Sequence, residues 1–165
     1  FAYTKLFGVP LFSGFMYASV GSFMARTIRI FDMRFTHFPP RWLTAVLALA
    51  IYGNFFSHHY LPDLRIGLFA ATLVIFWRVN IHFTTDRTTL WMPLTLAALL
   101  AALFLWLAEN IGTATGTWVY PGQSVWHIVS FSKLGSWYLL LYVSFVLVTL
   151  VLPPQPPSEF PEAGR

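Results

Sequence analysis

The sequence predicts an all-α fold, a polytopic transmembrane helix bundle of about five spans, from composition, segmentation and length. Apolar residues make up 57% of the 165 residues and aromatic residues 19%. Charged residues make up 10%, against roughly 25% in a soluble domain. The apolar residues form long stretches, and about 20 of them suffice to cross a bilayer. The composition therefore excludes a water-soluble domain, which would expose large apolar patches, and also excludes a disordered chain.

The five predicted spans cover residues 6–25, 42–57, 66–83, 90–108 and 134–152, within a transmembrane domain over residues 1–152. The first and fourth spans place small residues four apart, such as Ala97 and Ala101, which lets helices in lipid approach closely. Residues 153–165 contain five prolines and predict a disordered tail. Because Phe1 is not Met and no signal-peptide pattern precedes the first predicted span, we expect the chain to begin within a longer protein.

The basic residues predict an orientation, since Lys and Arg are enriched in cytoplasmic loops. One side would hold Arg26, Arg29, Arg34, Arg41, Arg87 and Arg165, and the other Lys5, Arg65 and Lys133. We therefore expect a cytoplasmic tail, membrane lipids as partners and no nucleic-acid partner, although the net charge is +4. Aromatic residues near predicted span ends fit an interfacial belt: Trp42, Trp91, Trp118, Tyr120, Trp126, Trp137 and Tyr138.

Polar residues on the predicted outer side include candidate catalytic and substrate-binding residues. Glu109 directly follows the apolar fourth span, where a carboxylate is costly unless it finds a partner or water. We take Glu109, His58 and His59 as candidate catalytic residues. Candidate substrate-binding residues on this side are Asn54, Asp63, Arg65 and Asn110. The alternative is that these groups reach solvent at the interface or form a structural polar cluster.

Metal and hydrolase chemistry are not indicated by the sequence. Imidazole and carboxylate groups suit zinc or iron, but adjacent histidines diverge on a helix and no HExxH motif is present. No GxSxG motif is present either. We therefore predict no metal site, and the sequence identifies neither a cofactor nor an oligomeric state.

Arg78, His82 and Asp86 on the predicted inner side are spaced four apart, so a continuing helix would align them on one stripe. We include Arg78 and His82 as candidate substrate-binding residues, because such a stripe would suit an anionic headgroup or a proton relay. The alternative is simple anchoring of basic residues at the cytoplasmic face.

The connection from Glu109 to Lys133 is too polar to span and contains glycine, threonine and aromatic residues. Glycine permits tight turns, while Trp118 and Tyr120 are able to enter the interface. The segment is predicted to be either a folded lid over the bundle or an ordinary surface loop. Under the first interpretation, Trp118 and Tyr120 are candidate substrate-binding residues.

Four long strings carry a family resemblance: FGVPLFSGFMYASVGSFMARTIRIFDMRF, IYGNFFSHHYLPDLR, AENIGTATGTWVYPGQ and KLGSWYLLLYVSFVLVTLV. They resemble the bacterial membrane family called domain of unknown function 817, over nearly the whole chain. The resemblance implies a multi-pass protein of the bacterial cytoplasmic (inner) membrane, and it implies no catalytic residues.

A shorter stretch, with Glu109 followed by Gly112, Gly116, Trp118 and Tyr120, resembles membrane carotenoid cyclases and hydratases. That resemblance implies an isoprenoid substrate, a carboxylic acid that protonates a double bond, and aromatic rings that stabilise the resulting cation.

Three functions remain open at the level of sequence. The first is a membrane-embedded enzyme acting on a lipid or isoprenoid substrate near Glu109. The second is a small-molecule or ion transporter with polar groups at both ends of a pathway. The third is a structural or assembly subunit whose small-residue faces contact partners.

Overall fold

The computed structural model describes residues 5–6, 9–10, 13–57, 60–117 and 128–157. These residues form five helices and five short strands. The elements are β1 (Lys5–Leu6), β2 (Val9–Pro10), α1 (Ser13–Ile30), β3 (Arg34–Thr36), α2 (Arg41–Ser57), α3 (Arg65–Phe76), β4 (Asn80–Thr85), β5 (Thr88–Pro93), α4 (Leu94–Ala114) and α5 (Phe131–Val151). Strands β1 and β2 form a small antiparallel pair, and β3, β4 and β5 form an antiparallel sheet in that order.

Helix α5 is the central helix of the bundle. It packs against α1, α2, α3 and α4, and Tyr142 and Val146 are almost completely buried. After its first two turns, which contain Lys133 and Ser136, the helix is predominantly apolar on all sides. This suits the central position, because a helix that is apolar all round is stable only when it is enclosed by protein or lipid.

The three-stranded sheet lies at one end of the bundle, here called the sheet end. α1 and α3 end shortly before β3 and β4, and α4 begins directly after β5. The chain returns to the sheet after α5, where the Phe35 amide donates to the Gln155 carbonyl. The opposite, distal end therefore contains the C-termini of α2 and α4 and the N-termini of α3 and α5.

The predicted all-α bundle of five spans is wrong. Two of the described helices, α4 and α5, are long and apolar enough to cross a membrane by length and composition. Helix α3 is apolar but has only 12 residues, about 18 Å of helix against a hydrocarbon layer of about 30 Å.

The predicted third span fails because residues 80–85 form a strand instead of continuing the helix. Polar and apolar residues alternate from Asn80 to Phe83, and Ile81 is buried between less buried neighbours, the arrangement expected of a strand whose successive side chains point to opposite faces. Threonine on both sides of the turn favours strands, and Asp86 adopts a φ of 55° at the turn. A search for apolar stretches merges this hairpin with its neighbouring helices.

The helix at the predicted fourth span, residues 90–108, runs beyond the predicted end of that span. Helix α4 begins at Leu94 and continues to Ala114, five residues beyond Glu109. Glu109 is therefore buried within a helix, at 5% exposure, and does not lie in a connection after it.

Candidate functional site

Asn54, Asp63 and Arg65 form one polar cluster at the distal end, as their proximity in the sequence suggests. The Asn54 amide nitrogen donates to Asp63 Oδ1 at 3.2 Å, and Asn54 Oδ1 accepts from the Leu64 amide at 2.9 Å. The Asp63 carboxylate also pairs with the Arg65 guanidinium through Oδ2. The last turn of α2 thereby fixes the start of α3.

The pKa of Asp63 lies below its ordinary value of 3.8. Partial burial raises the pKa of Asp63. Hydrogen bonds from the Arg65 amide, the Asn54 side chain and the Arg65 guanidinium, together with the positive charge of Arg65, lower the pKa by more than burial raises it. Each of these groups favours the charged carboxylate. Asp63 is thus held as an anion inside its own cluster.

The Asn54–Arg65 cluster continues to the central helix. Arg65 Nη1 donates to Ser136 Oγ at 3.3 Å, across 71 residues of sequence. A cavity of about 100 Å³ lies beside this contact, lined by Ile51, Asn54, Phe55, Arg65, Ser136, Leu139 and Leu140.

Glu109 lies in a second distal cluster, between α4 and α5. Its Oε2 accepts from Trp137 Nε1 at 2.8 Å, and its Oε1 lies 3.5 Å from Lys133 Nζ. Lys133 and Trp137 are four residues apart and share one face of α5. The carboxylate is therefore paired and hydrogen-bonded, the arrangement that a buried charge requires.

Asn110 holds the chain at the entry to α5. Its Oδ1 accepts from the Val129 amide at 2.8 Å, and Trp106 Nε1 donates to the Val129 carbonyl at 3.0 Å. Trp106 also stacks on Phe131, with ring centroids 5.2 Å apart. Together Asn110 and Trp106 satisfy both backbone polar groups of one buried residue.

Arg78 and His82 lie at the sheet end, whereas Glu109 lies at the distal end of the bundle. Because α3 ends at Phe76, the predicted stripe of Arg78, His82 and Asp86 does not form. His82 is instead paired across the sheet with Arg34 and Trp91. Arg34 forms an ion pair with Asp32, with Nη2 lying 2.8 Å from Oδ1.

The remaining candidates, His58, His59, Trp118 and Tyr120, lie outside the described residues. Among the residues that are described, no group of three or more His, Asp and Glu side chains is arranged to hold a metal ion. Four of the residues predicted for the aromatic belt lie in the described segments. Trp42 and Trp91 are 68% and 64% exposed, Trp137 is half-buried, and Tyr138 is buried inside the bundle.

The larger cavity is an apolar cleft of about 200 Å³ near the sheet end, here called the apolar cleft. It lies between α1, α4 and α5 and is lined by Phe23, Met24, Thr27, Ile28, Met33, Phe35, Ile81, Leu94, Ala97, Ala98, Ala101, Leu141, Tyr142 and Phe145. None of the candidate catalytic residues in the described segments lines it. Glu109 follows Ala101 by eight residues, about 12 Å along the helix axis.

Ser136, Trp106 and the polar role of Trp137 were not identified from the sequence. A serine in an apolar helix and tryptophans near span ends are common as isolated features. The available signal was their spacing: Ser136 and Lys133 lie within one turn, and Trp106 lies four residues before Asn110. That spacing does not name the partner on another helix.

Comparison with known proteins supports the family resemblance. A family model described as "Protein of unknown function (DUF817)" matches residues 1–145. The uncharacterized protein YoaT of Bacillus subtilis (strain 168) is 42% identical over 147 residues, which cover 88% of this chain and 56% of YoaT. The chain thus spans about half the length of the curated relative it matches. No solved structure matches the chain.

Neither comparison supports the resemblance of the Glu109 segment to carotenoid cyclases and hydratases. The family match covers both distal clusters and every residue that lines the apolar cleft, since it extends over α1 to α4 and the first two-thirds of α5. The chain belongs to the DUF817 family.

Proposed function

We propose that this chain forms part of a multi-pass integral membrane protein that handles a ligand of the lipid phase. The exposed surface of α4 is the observation that carries the proposal. Only 17% of its most apolar stretch is buried, against 56% in α5. Phe104 and Leu99 are 69% and 48% exposed. A core helix of a soluble protein would bury such residues, whereas lipid covers them at no cost.

The same argument extends to the helices around α5. Exposed apolar residues occur on α1, α2 and α3, including Phe23, Leu49 and Val74. In this proposal α4 and α5 cross the bilayer, and α1, α2 and α3 pack around α5 within the apolar layer. The paired polar clusters at the distal end satisfy their charges internally, as a bundle in lipid requires.

The distribution of basic residues supports placing the sheet end in the cytoplasm. Arg29, Arg34, Arg78 and Arg87 lie in or next to the sheet, whereas Arg65 and Lys133 lie at the distal end, each in a carboxylate pair. Excess basic residues favour the cytoplasmic side. Residues 153–157 then lie on that side as well, beside β3.

The lining of the apolar cleft supports a lipid or isoprenoid ligand over a polar solute. A transporter for ions or polar molecules needs polar groups along its pathway, but the larger cavity is lined by aliphatic and aromatic side chains. Glu109 is ion-paired away from this cleft, so we assign it a positioning role at the α4–α5 contact.

Single-cysteine accessibility tests the proposal, and the chain contains no cysteine that would add background. Leu61→Cys marks the distal end, Thr85→Cys the sheet end and Phe104→Cys the middle of α4. With a membrane-impermeant maleimide, we expect Leu61→Cys to be labelled in intact cells and Thr85→Cys only after permeabilisation. Phe104→Cys stays unlabelled in both conditions because lipid covers it.

A soluble protein would give a different result. Phe104 is 69% exposed, so its cysteine would then react as readily as the other two in a cell lysate. That result, together with recovery of the protein outside the membrane fraction, would overturn the proposal. Labelling of Thr85→Cys instead of Leu61→Cys in intact cells would reverse the orientation only.

A further inference from the structure

The apolar cleft has an exposed entrance and a buried floor. At the entrance, Phe23 of α1 is 72% exposed and Ala101 of α4 is also exposed. At the floor, Tyr142 and Phe35 are 1% and 4% exposed. Helices α1 and α4 both pack against α5 but make little contact with each other. The cleft therefore opens sideways between two helices whose outer surfaces are apolar.

The polar atoms in the lining are directed to partners within the protein. Thr27 Oγ1 donates to the Phe23 carbonyl of its own helix at 2.9 Å. The Tyr142 hydroxyl lies 3.5 Å from the Tyr138 hydroxyl. A ligand in the cleft thus meets methyl, methylene and aromatic groups, which favour a hydrocarbon and give a polar ligand no new hydrogen bonds.

The volume of the cleft suits a segment of a hydrocarbon chain. An engineered apolar cavity of about 150 Å³ stays dry and binds benzene, and the cleft measures about 200 Å³. Ala97, Ala98 and Ala101 make this space, because larger side chains on the same face of α4 would occupy it.

We infer that the apolar cleft binds one hydrocarbon chain of a membrane lipid, which enters from the bilayer between Phe23 and Ala101. This inference rests on the membrane embedding proposed above and adds the place and the chemistry of the ligand. Two sources share this chemistry, the acyl chain of a phospholipid and the chain of an isoprenoid. The alanines of α4 set the width of chain that is admitted.

Photolabelling of the full-length protein in lipid nanodiscs tests the inference. One sample contains a phospholipid with a diazirine in its acyl chain, and a second contains a diazirine-bearing polyprenol. After irradiation, labelled peptides are mapped in the wild type and in Ala101→Phe, which fills the entrance. Ala108→Phe is the matched control, because Ala108 is an exposed alanine two turns further along α4 and outside the cleft.

We expect label on the lining segments 23–28 and 97–101 from at least one probe. Ala101→Phe should lower that label by roughly tenfold, equivalent to about 1.4 kcal/mol, while Ala108→Phe labels as the wild type does. Label from the phospholipid alone identifies an acyl chain, and label from the polyprenol alone identifies an isoprenoid. Ala98→Leu, a smaller change deeper in the cleft, should lower the label in the same direction and guards against misfolding of Ala101→Phe.

Three results would overturn the inference. Label confined to the outward surface of α4, at residues such as Leu100 and Phe104, and unchanged in Ala101→Phe would leave membrane embedding intact but remove the cleft site. Occupation of the cleft by another segment of the full-length protein or by a second copy, detected as a protein crosslink from a photoreactive amino acid placed at position 98, would replace lipid as the occupant. No label anywhere on α4 would remove both the inference and the proposed embedding.

Discussion

At the contact between α4 and α5, Glu109 is held by Trp137 and Lys133 at 2.8 Å and 3.5 Å. We expect Glu109→Gln to lower the free energy of unfolding by about 1–2 kcal/mol. The amide oxygen still accepts from Trp137, but Lys133 loses its carboxylate partner in a partly buried position. Thermal or denaturant unfolding in one detergent measures the change.

A double-mutant cycle separates the ion pair from other effects of the substitution. Lys133→Met removes the charge and keeps the aliphatic stem. If the two side chains interact as the structure indicates, Glu109→Gln with Lys133→Met costs less than the sum of the single variants. Strict additivity would contradict the pairing, and a lipid profile that depends on Glu109 at equal protein abundance would argue for a chemical role.

The lowered pKa of Asp63 predicts that acid destabilises the connection between α2 and α3. Its pKa is lowered below 3.8 in the folded protein, so the folded state holds this proton less tightly than the unfolded chain. The stabilisation is therefore present above pH 3.8 and is lost as the pH falls through the folded-state pKa.

Asp63→Asn checks this sign. As the pH is lowered below 3.8, we expect the melting temperature of the wild type to fall more steeply than that of Asp63→Asn. Above that pH, Asp63→Asn is the less stable protein, because the charge-assisted bonds to Arg65 are lost. Parallel curves for the two proteins would show that Asp63 does not carry the effect.

At the scale of elements, Gly135 sets the approach of α3 to α5. A Cβ at this position would lie 2.7 Å from Phe69 Cζ, closer than packed atoms come. Gly135→Ala should therefore destabilise the protein by about 1 kcal/mol, because overpacking outweighs the gain in helix propensity. Denaturant unfolding measures the loss.

Two variants accompany Gly135→Ala. Gly53 of α2 has no atom within 4 Å of an added Cβ, so Gly53→Ala should be stabilising by about 0.5–1 kcal/mol. Phe69→Leu shortens the opposing side chain and should relieve Gly135→Ala. Equal effects of the two glycine substitutions would show that close packing at Gly135 is not the cause.

The β4–β5 hairpin shows why some elements escape prediction from hydropathy. Residues 80–93 contain enough apolar side chains to extend two neighbouring helices, yet polar and apolar residues alternate from Asn80 to Phe83 at the start of β4. The alternation and the threonines around Asp86 are present in the sequence. These signals are short-range. Whether they favour a strand over a helix depends on the tertiary core that the sheet completes, which includes Phe35 and Ile81.

For the whole molecule, the exposed apolar surface predicts how α4 tolerates charge. Phe104 is the middle residue of α4 and is 69% exposed. In a bilayer, Phe104→Lys should cost about 3 kcal/mol of insertion free energy. Phe104→Leu should cost little, so the amounts of the two variants in the membrane fraction are compared.

In water, both substitutions at Phe104 would remain within about 0.5 kcal/mol of the wild type, as exposed positions usually do. Equal abundance and equal stability of the lysine and leucine variants would therefore contradict membrane embedding. A selective loss of Phe104→Lys supports it independently of cysteine labelling.

Local sequence features were enough to identify the family and the approximate position of most helices. The predicted spans 42–57 and 134–152 lie close to Arg41–Ser57 and Phe131–Val151. The sequence also placed Asn54, Asp63 and Arg65 on the same side of the bundle, and these residues lie within 12 positions of one another. Apolar periodicity and short spacing are local properties, and they can be read without knowledge of packing.

The packing of the helices fixes which distant groups meet. Glu109 and Trp137 are 28 residues apart, and Arg65 and Ser136 are 71 apart, so their contacts depend on how α5 is enclosed by the other helices. The apolar cleft likewise follows from the gap between α1 and α4, where alanines that favour close helix contact line a cavity instead. Such pairings follow from the rotation and separation of packed helices, which residue spacing along one helix does not specify.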